Sequence, residues 1–116
     1  SIHGQTLKTS SFGVSAESYE GIFNIFSGKK PKYQVAPHPQ NNHGSAEGIL
    51  VGGNLALVYA LLGSSYSVDF KDKILFIEDI GENFYSLDRM LISLDLAGVF
   101  RKIKGIIIGG MINMGN

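Results

Sequence analysis

At 116 residues and 44% hydrophobic side chains, the chain is long enough for one compact domain with a true core and too short for two independent ones. Its ten basic and ten acidic residues cancel, leaving no net field to draw in nucleic acid or an anionic membrane. The lack of cysteine excludes disulfides, thiolate metal sites and a thiol nucleophile. No apolar run approaches the roughly 20 residues that cross a bilayer, and the opening SIHGQTLKTS lacks the basic-then-apolar order of a signal peptide.

Helical spacing first occurs in SAESYEGIFNIF, where Tyr19, Ile22, Phe23 and Phe26 share one face, Ser15 is placed to cap the start and Gly28 to end it. A short apolar run from Tyr33 to Ala36 has strand length. Next comes a polar, turn-rich stretch, PHPQNNHGS at 37 to 45, read as an exposed loop and as a boundary between a leading segment and a unit that begins near Glu47. Ile49 to Val51 is a second strand-length run. NLALVYALLG then predicts a helix with Leu55, Val58, Tyr59 and Leu62 on one face, capped by Asn54 and stopped by Gly63. Ile74 to Ile77 and Ile106 to Ile108 lack polar alternation, as strands covered on both faces do. Between them, SLDRMLISLDLAG predicts a third helix with Leu87, Met90, Leu91 and Leu94 inward and Gly98 at its end. Strand and helix alternate from 49 to 109, so the fold class is α/β with a mainly parallel sheet and flanking helices. A parallel strand at the end of the chain, without a covering helix, leads us to expect that the natural domain continues past Asn116.

Chemistry centres on KILFIEDIGE, residues 73 to 82, where an apolar run meets Glu78, Asp79 and Glu82. In open α/β sheets functional groups gather beyond the carboxyl ends of the strands, and Glu78 is the first polar side chain after ILFI. The plainer reading has Glu78 or Asp79 capping a turn or forming a surface ion pair. Glu82 and Asp88 read as helix N-terminal charges that complement the dipole. The stretch EGILVGGN, residues 47 to 54, invites comparison with a phosphate loop, but no Gly-Lys-Ser/Thr follows and its glycines miss the dinucleotide spacing. A tight turn at Gly52 and Gly53, with Asn54 capping the next helix, explains it better, and such a turn could wall a cleft. No serine sits in a G-x-S-x-G elbow, and His3, His38 and His43 form no metal-ligand pattern.

Residues 47 to 109 carry EG-x-L-x-GGNL, then DFK-x-KILF-x-EDIGE, then Y-x-x-DRML, then an apolar strand ending in glycine. In this order the motifs resemble the C-terminal domain of the LD-carboxypeptidases, serine peptidases that include muramoyl-tetrapeptide carboxypeptidase and the microcin C immunity peptidase. SIHG at the start is similar to a segment near the end of that family's N-terminal domain. The resemblance implies that residues 1 to 45 are the end of the N-terminal domain and a linker, and residues 46 to 116 an incomplete C-terminal domain of the swivelling β/β/α-like type.

The function so implied is a cytoplasmic step of cell-wall recycling: hydrolysis of the L,D amide bond before a terminal D-alanine in murein tetrapeptides, without metal or cofactor. A Ser-His-Glu triad performs it, and a homodimer is the assembly that the family suggests. Glu78, first acid of EDIGE, falls at the triad glutamate, and Gly52, Gly53 and Asn54 would lie beside the substrate cleft. The family's serine lies upstream of these motifs and its histidine downstream of the glutamate, whereas all three histidines here precede Glu78. The isolated chain is therefore expected to be inactive. Two other readings remain: a non-catalytic module of the same fold that binds a small ligand or partner, and, behind it, a nucleotide-binding domain.

Overall fold

The computed structural model describes residues 15–115, so the expectations for SIHG and His3 lie outside the described residues. The chain divides into two units between Asn42 and His43.

In the first unit, helix α1 runs over Ala16–Phe26. Ser15 is extended and its hydroxyl accepts from the backbone N–H of Ser18, while Glu17 adds a negative charge to the first turn. Ser27 closes the helix and Gly28 turns the chain at φ +75°. On the predicted apolar face, Tyr19 and Ile22 are half-buried, but Phe23 and Phe26 are exposed. The strand expected at Tyr33 to Ala36 does not form, and those four residues lie in an exposed, irregular stretch. Pro31 and Pro37 flank the run, and prolines withhold the ladder donors that a strand this short needs.

The second unit holds a three-stranded parallel sheet in the order β1-β2-β3, formed by Leu50–Asn54, Ile74–Ile80 and Gly105–Ile112. Helix α2, Leu55–Ala60, follows β1 directly; α3, Phe84–Leu96, and the short α4, Val99–Lys102, connect β2 to β3. Leu55 and Val58 of α2, Met90 and Leu94 of α3, Val99 of α4 and Phe70 pack against Leu75 and Ile77 of β2 in one core. Parallel strands need such crossovers, and these place the helical apolar faces on the sheet.

All three strands outrun their apolar cores, and β2 carries on through Glu78 and Asp79. Covering is also less complete than the missing polar alternation implied. Along β2, Leu75, Ile77 and Asp79 are buried, whereas Ile74, Phe76 and Glu78 are half-buried. Ile106, Ile107 and Ile108 of β3 are exposed, because no helix among the described residues packs over this strand. Helix α3 begins two residues before the predicted segment, at Phe84, so its first turn holds no acid. Asp88 falls in the second turn and Glu82 ahead of the cap, which leaves the expected dipole role to neither in that first turn. Gly98, at φ +74°, ends α3 and starts α4, a helix that the spacing did not reveal.

Candidate active site at the carboxyl end of the sheet

Gly52 and Gly53 occupy β1 rather than a turn, pairing in register with Phe76 and Ile77. Their φ values, +120° and +142°, are closed to most side chains, and a Cβ on Gly52 would stand 1.9 Å from the Phe76 carbonyl oxygen. Glycine is thus what allows β1 to lie against β2 at this point. The expected positive φ and close approach are both present, displaced from a loop into a strand.

Asn54 ends β1 in register with Glu78 and caps α2. Its Oδ1 accepts from the Leu57 N–H at 3.1 Å, while its Nδ2 donates to Asp79 Oδ1 at 2.9 Å. Asp79 is 3% exposed. Besides Asn54 it accepts the Ala56 N–H on Oδ2 at 3.0 Å and the Ile80 N–H on Oδ1 at 2.9 Å. A buried carboxylate is tolerable when donors surround it in this way. Asp79 therefore caps α2, the helix before its own strand, rather than the turn after it, and among the described residues it forms no surface ion pair.

Glu78 lies on the opposite face of β2 from Asp79. Strand alternation sets it there, and a Cβ added to Gly109 would meet Phe76 Cζ at 2.8 Å and Glu78 Cβ at 3.2 Å. Beside Glu78 the pairing of β2 with β3 slips: Ile77 pairs with Ile108, but Asp79 pairs with Met111. One β2 residue, Glu78, thus spans two on β3, Gly109 and Gly110. This is a β-bulge, a device that re-aims side chains near functional sites. Glu78 is half-buried.

Gly52, Gly53, Asn54 and Glu78 are accordingly brought together across adjacent strands. Asp79 is the acid that the sequence reading gave only a turn cap or a surface ion pair, missing its burial. The signal was available in the period of two: Leu75 and Ile77 are inward, so Asp79 is inward too, and a buried acid must have partners.

His38 and His43 are exposed, and the His38 ring nitrogen Nδ1 accepts the Gln40 N–H at 3.2 Å. Among the described residues no three His, Cys, Asp or Glu side chains are grouped to hold a metal ion, and no helix is long and apolar enough to cross a membrane. An open groove of about 740 Å³, lined in part by Ser64, Asp69, Lys71 and Arg101, lies between the α2–β2 connection and the segment from the end of α3 through α4. It adjoins the amino ends of the strands, away from Glu78 and Asn54.

Residues 47–116 match the family model of the LD-carboxypeptidase C-terminal domain. The chain is 43% identical over 75 residues to the probable murein peptide carboxypeptidase of Bacillus subtilis, covering 65% of this chain and 24% of that protein. It is 36% identical over 67 residues to the microcin C7 self-immunity protein MccF of Escherichia coli, covering 57% of this chain and 20% of that protein. The crystal structure of muramoyltetrapeptide carboxypeptidase from Oxalobacter formigenes superposes with a TM-score of 0.76 at 30% identity, over 89% of this chain and 35% of that one. The chain thus spans between a fifth and about a third of the length of these relatives. With the family match extending over more than half of its residues, and with a three-stranded parallel sheet that fits the solved relative, the chain belongs to the LD-carboxypeptidase family.

Proposed function

We propose that the full-length protein is a cytoplasmic serine carboxypeptidase that releases terminal D-alanine from murein tetrapeptides, with Glu78 as the acid of a Ser-His-Glu triad. The observation that carries this reading is the place of Glu78: at the carboxyl end of the central strand, in register with Asn54 and opposite the Gly109–Gly110 bulge. Family membership supports the peptidase chemistry, and the name of the Bacillus subtilis relative supports a murein peptide as the substrate class.

In this mechanism a serine from upstream sequence attacks the carbonyl carbon of the L,D amide while a histidine from downstream sequence takes the hydroxyl proton. The C–N bond then breaks, the histidine passes that proton to the nitrogen of the departing D-alanine, and water hydrolyses the resulting ester. Glu78 accepts a hydrogen bond from the imidazole, fixes its tautomer and stabilises the imidazolium. Gly52, Gly53 and Asn54 form one wall of the cleft.

Chromatographic detection of D-alanine released from a murein tetrapeptide by the full-length protein tests the reading. Glu78→Gln should lower kcat by about 10⁴-fold, as amide substitution of a triad acid does elsewhere. Near-normal turnover in that variant removes Glu78 from the triad. Tight peptide binding without D-alanine release by the wild type supports a binding module of the same fold instead.

A further inference from the structure

We propose that Asp79 is a positioning residue for this site, locking the Gly52–Asn54 segment to the strand that carries Glu78. The inference rests on the functional reading above. Asp79 and Glu78 are consecutive residues of β2 on opposite faces, so whatever Asp79 grips is held at a fixed offset from Glu78. What it grips is the end of β1 and the first turn of α2: the Asn54 side-chain amide and the Ala56 backbone N–H. A third bond, from the Ile80 N–H, anchors the carboxylate to its own strand.

Every strong contact of Asn54 is drawn into the same arrangement. Its oxygen is committed to Leu57 and one amide hydrogen to Asp79, so neither can rotate without breaking a bond. Gly52 and Gly53 have no side chains with which to pack the segment in place. The Asp79 carboxylate supplies the side-chain attachment that the glycines lack, in a buried setting where a charged acceptor binds N–H donors strongly.

The test is Asp79→Asn in the full-length protein, where an amide nitrogen replaces one of two oxygens that both accept. The kcat for D-alanine release should fall by about 10- to 100-fold, the scale that an ångström of misplacement produces, with KM changing far less. Amide hydrogen exchange at residues 55–57 should quicken by about tenfold or more while Met90 and Leu94 in α3 keep their protection. The double variant Asn54→Asp with Asp79→Asn rebuilds the pair with donor and acceptor exchanged, and should restore slow exchange at residues 56 and 57. Wild-type kcat in Asp79→Asn overturns the inference. Equal acceleration of all amides does so too, since it marks a residue that only supports global stability. So does a double variant that leaves the segment unprotected. A wild-type protein that releases no D-alanine refutes the functional reading instead, and the exchange measurements then decide the role of Asp79 alone.

Discussion

Asn54 and Asp79 stand 25 positions apart in the chain and are joined by a 2.9 Å hydrogen bond from amide to carboxylate. That bond links the end of an edge strand, the start of a helix and the end of the central strand.

Removing the amide should therefore be felt in more than one element. Asn54→Ala leaves the Leu57 N–H without its cap and takes one donor from Asp79. The combined cost is about 2–4 kcal/mol, from a lost cap and a lost bond to a charged group. Asn54→Ser, which keeps a capping oxygen, should recover about 1 kcal/mol of it. Thermal unfolding of the full-length variants is the measurement, and equal melting temperatures for the two would refute the capping role.

Gly52 should be the least replaceable glycine of the second unit. A methyl group there meets the Phe76 carbonyl at 1.9 Å, so Gly52→Ala must part β1 from β2 and should cost more than about 3 kcal/mol, or abolish soluble expression. Gly63→Ala is the comparison. Its φ of +76° carries a penalty, but nothing among the described residues lies within 4 Å, so about 1 kcal/mol is expected.

The two bulge glycines should separate activity from stability. Gly109→Ala presses on the Phe76 ring and on Glu78 Cβ, and should lower kcat for D-alanine release by about tenfold or more through displacement of the acid. Gly110→Ala meets, among the described residues, only the Ile112 side chain, at 3.3 Å, which can shift, and should leave kcat within about twofold. Equal kcat values in the two variants would show that crowding beside Glu78 is harmless.

Leu94 is fully buried in α3, at the centre of the core. Leu94→Ala should destabilise the protein by about 2–5 kcal/mol while leaving KM unchanged in the fraction that stays folded. Denaturant titration together with steady-state kinetics on the purified folded fraction checks both halves.

Local signals in the chain were read well where a single side chain decides the outcome. Ser15 and Asn54 cap the helices they were expected to cap, and the apolar spacing of Leu55, Val58, Met90 and Leu94 marks residues that are in the core. Strand limits were harder, because they depend on partners far away in sequence. Glu78 and Asp79 look like the end of an apolar run, yet the ladder to β3 carries β2 past them to Ile80. The Gly52–Gly53 pair looks like a turn, yet pairing with Phe76 and Ile77 keeps it extended. At Tyr33 to Ala36 the composition suits a strand, but no neighbour among the described residues supplies a ladder. The gathering of Gly52, Asn54 and Glu78 followed from family likeness, whereas the fastening by Asp79 follows from alternation along β2.

The extra residue on β3 also sets the parity of everything after it. With three steps from Ile108 to Met111 against two from Ile77 to Asp79, Met111 arrives on the side of the helices and packs against the core, while Ile112 is left exposed. Deleting either Gly109 or Gly110 would exchange those two, turning the thioether outward and the branched chain inward. At this point of the fold the number of residues matters as much as their kind, so relatives that gain or lose one here must repack the end of the sheet or forgo it.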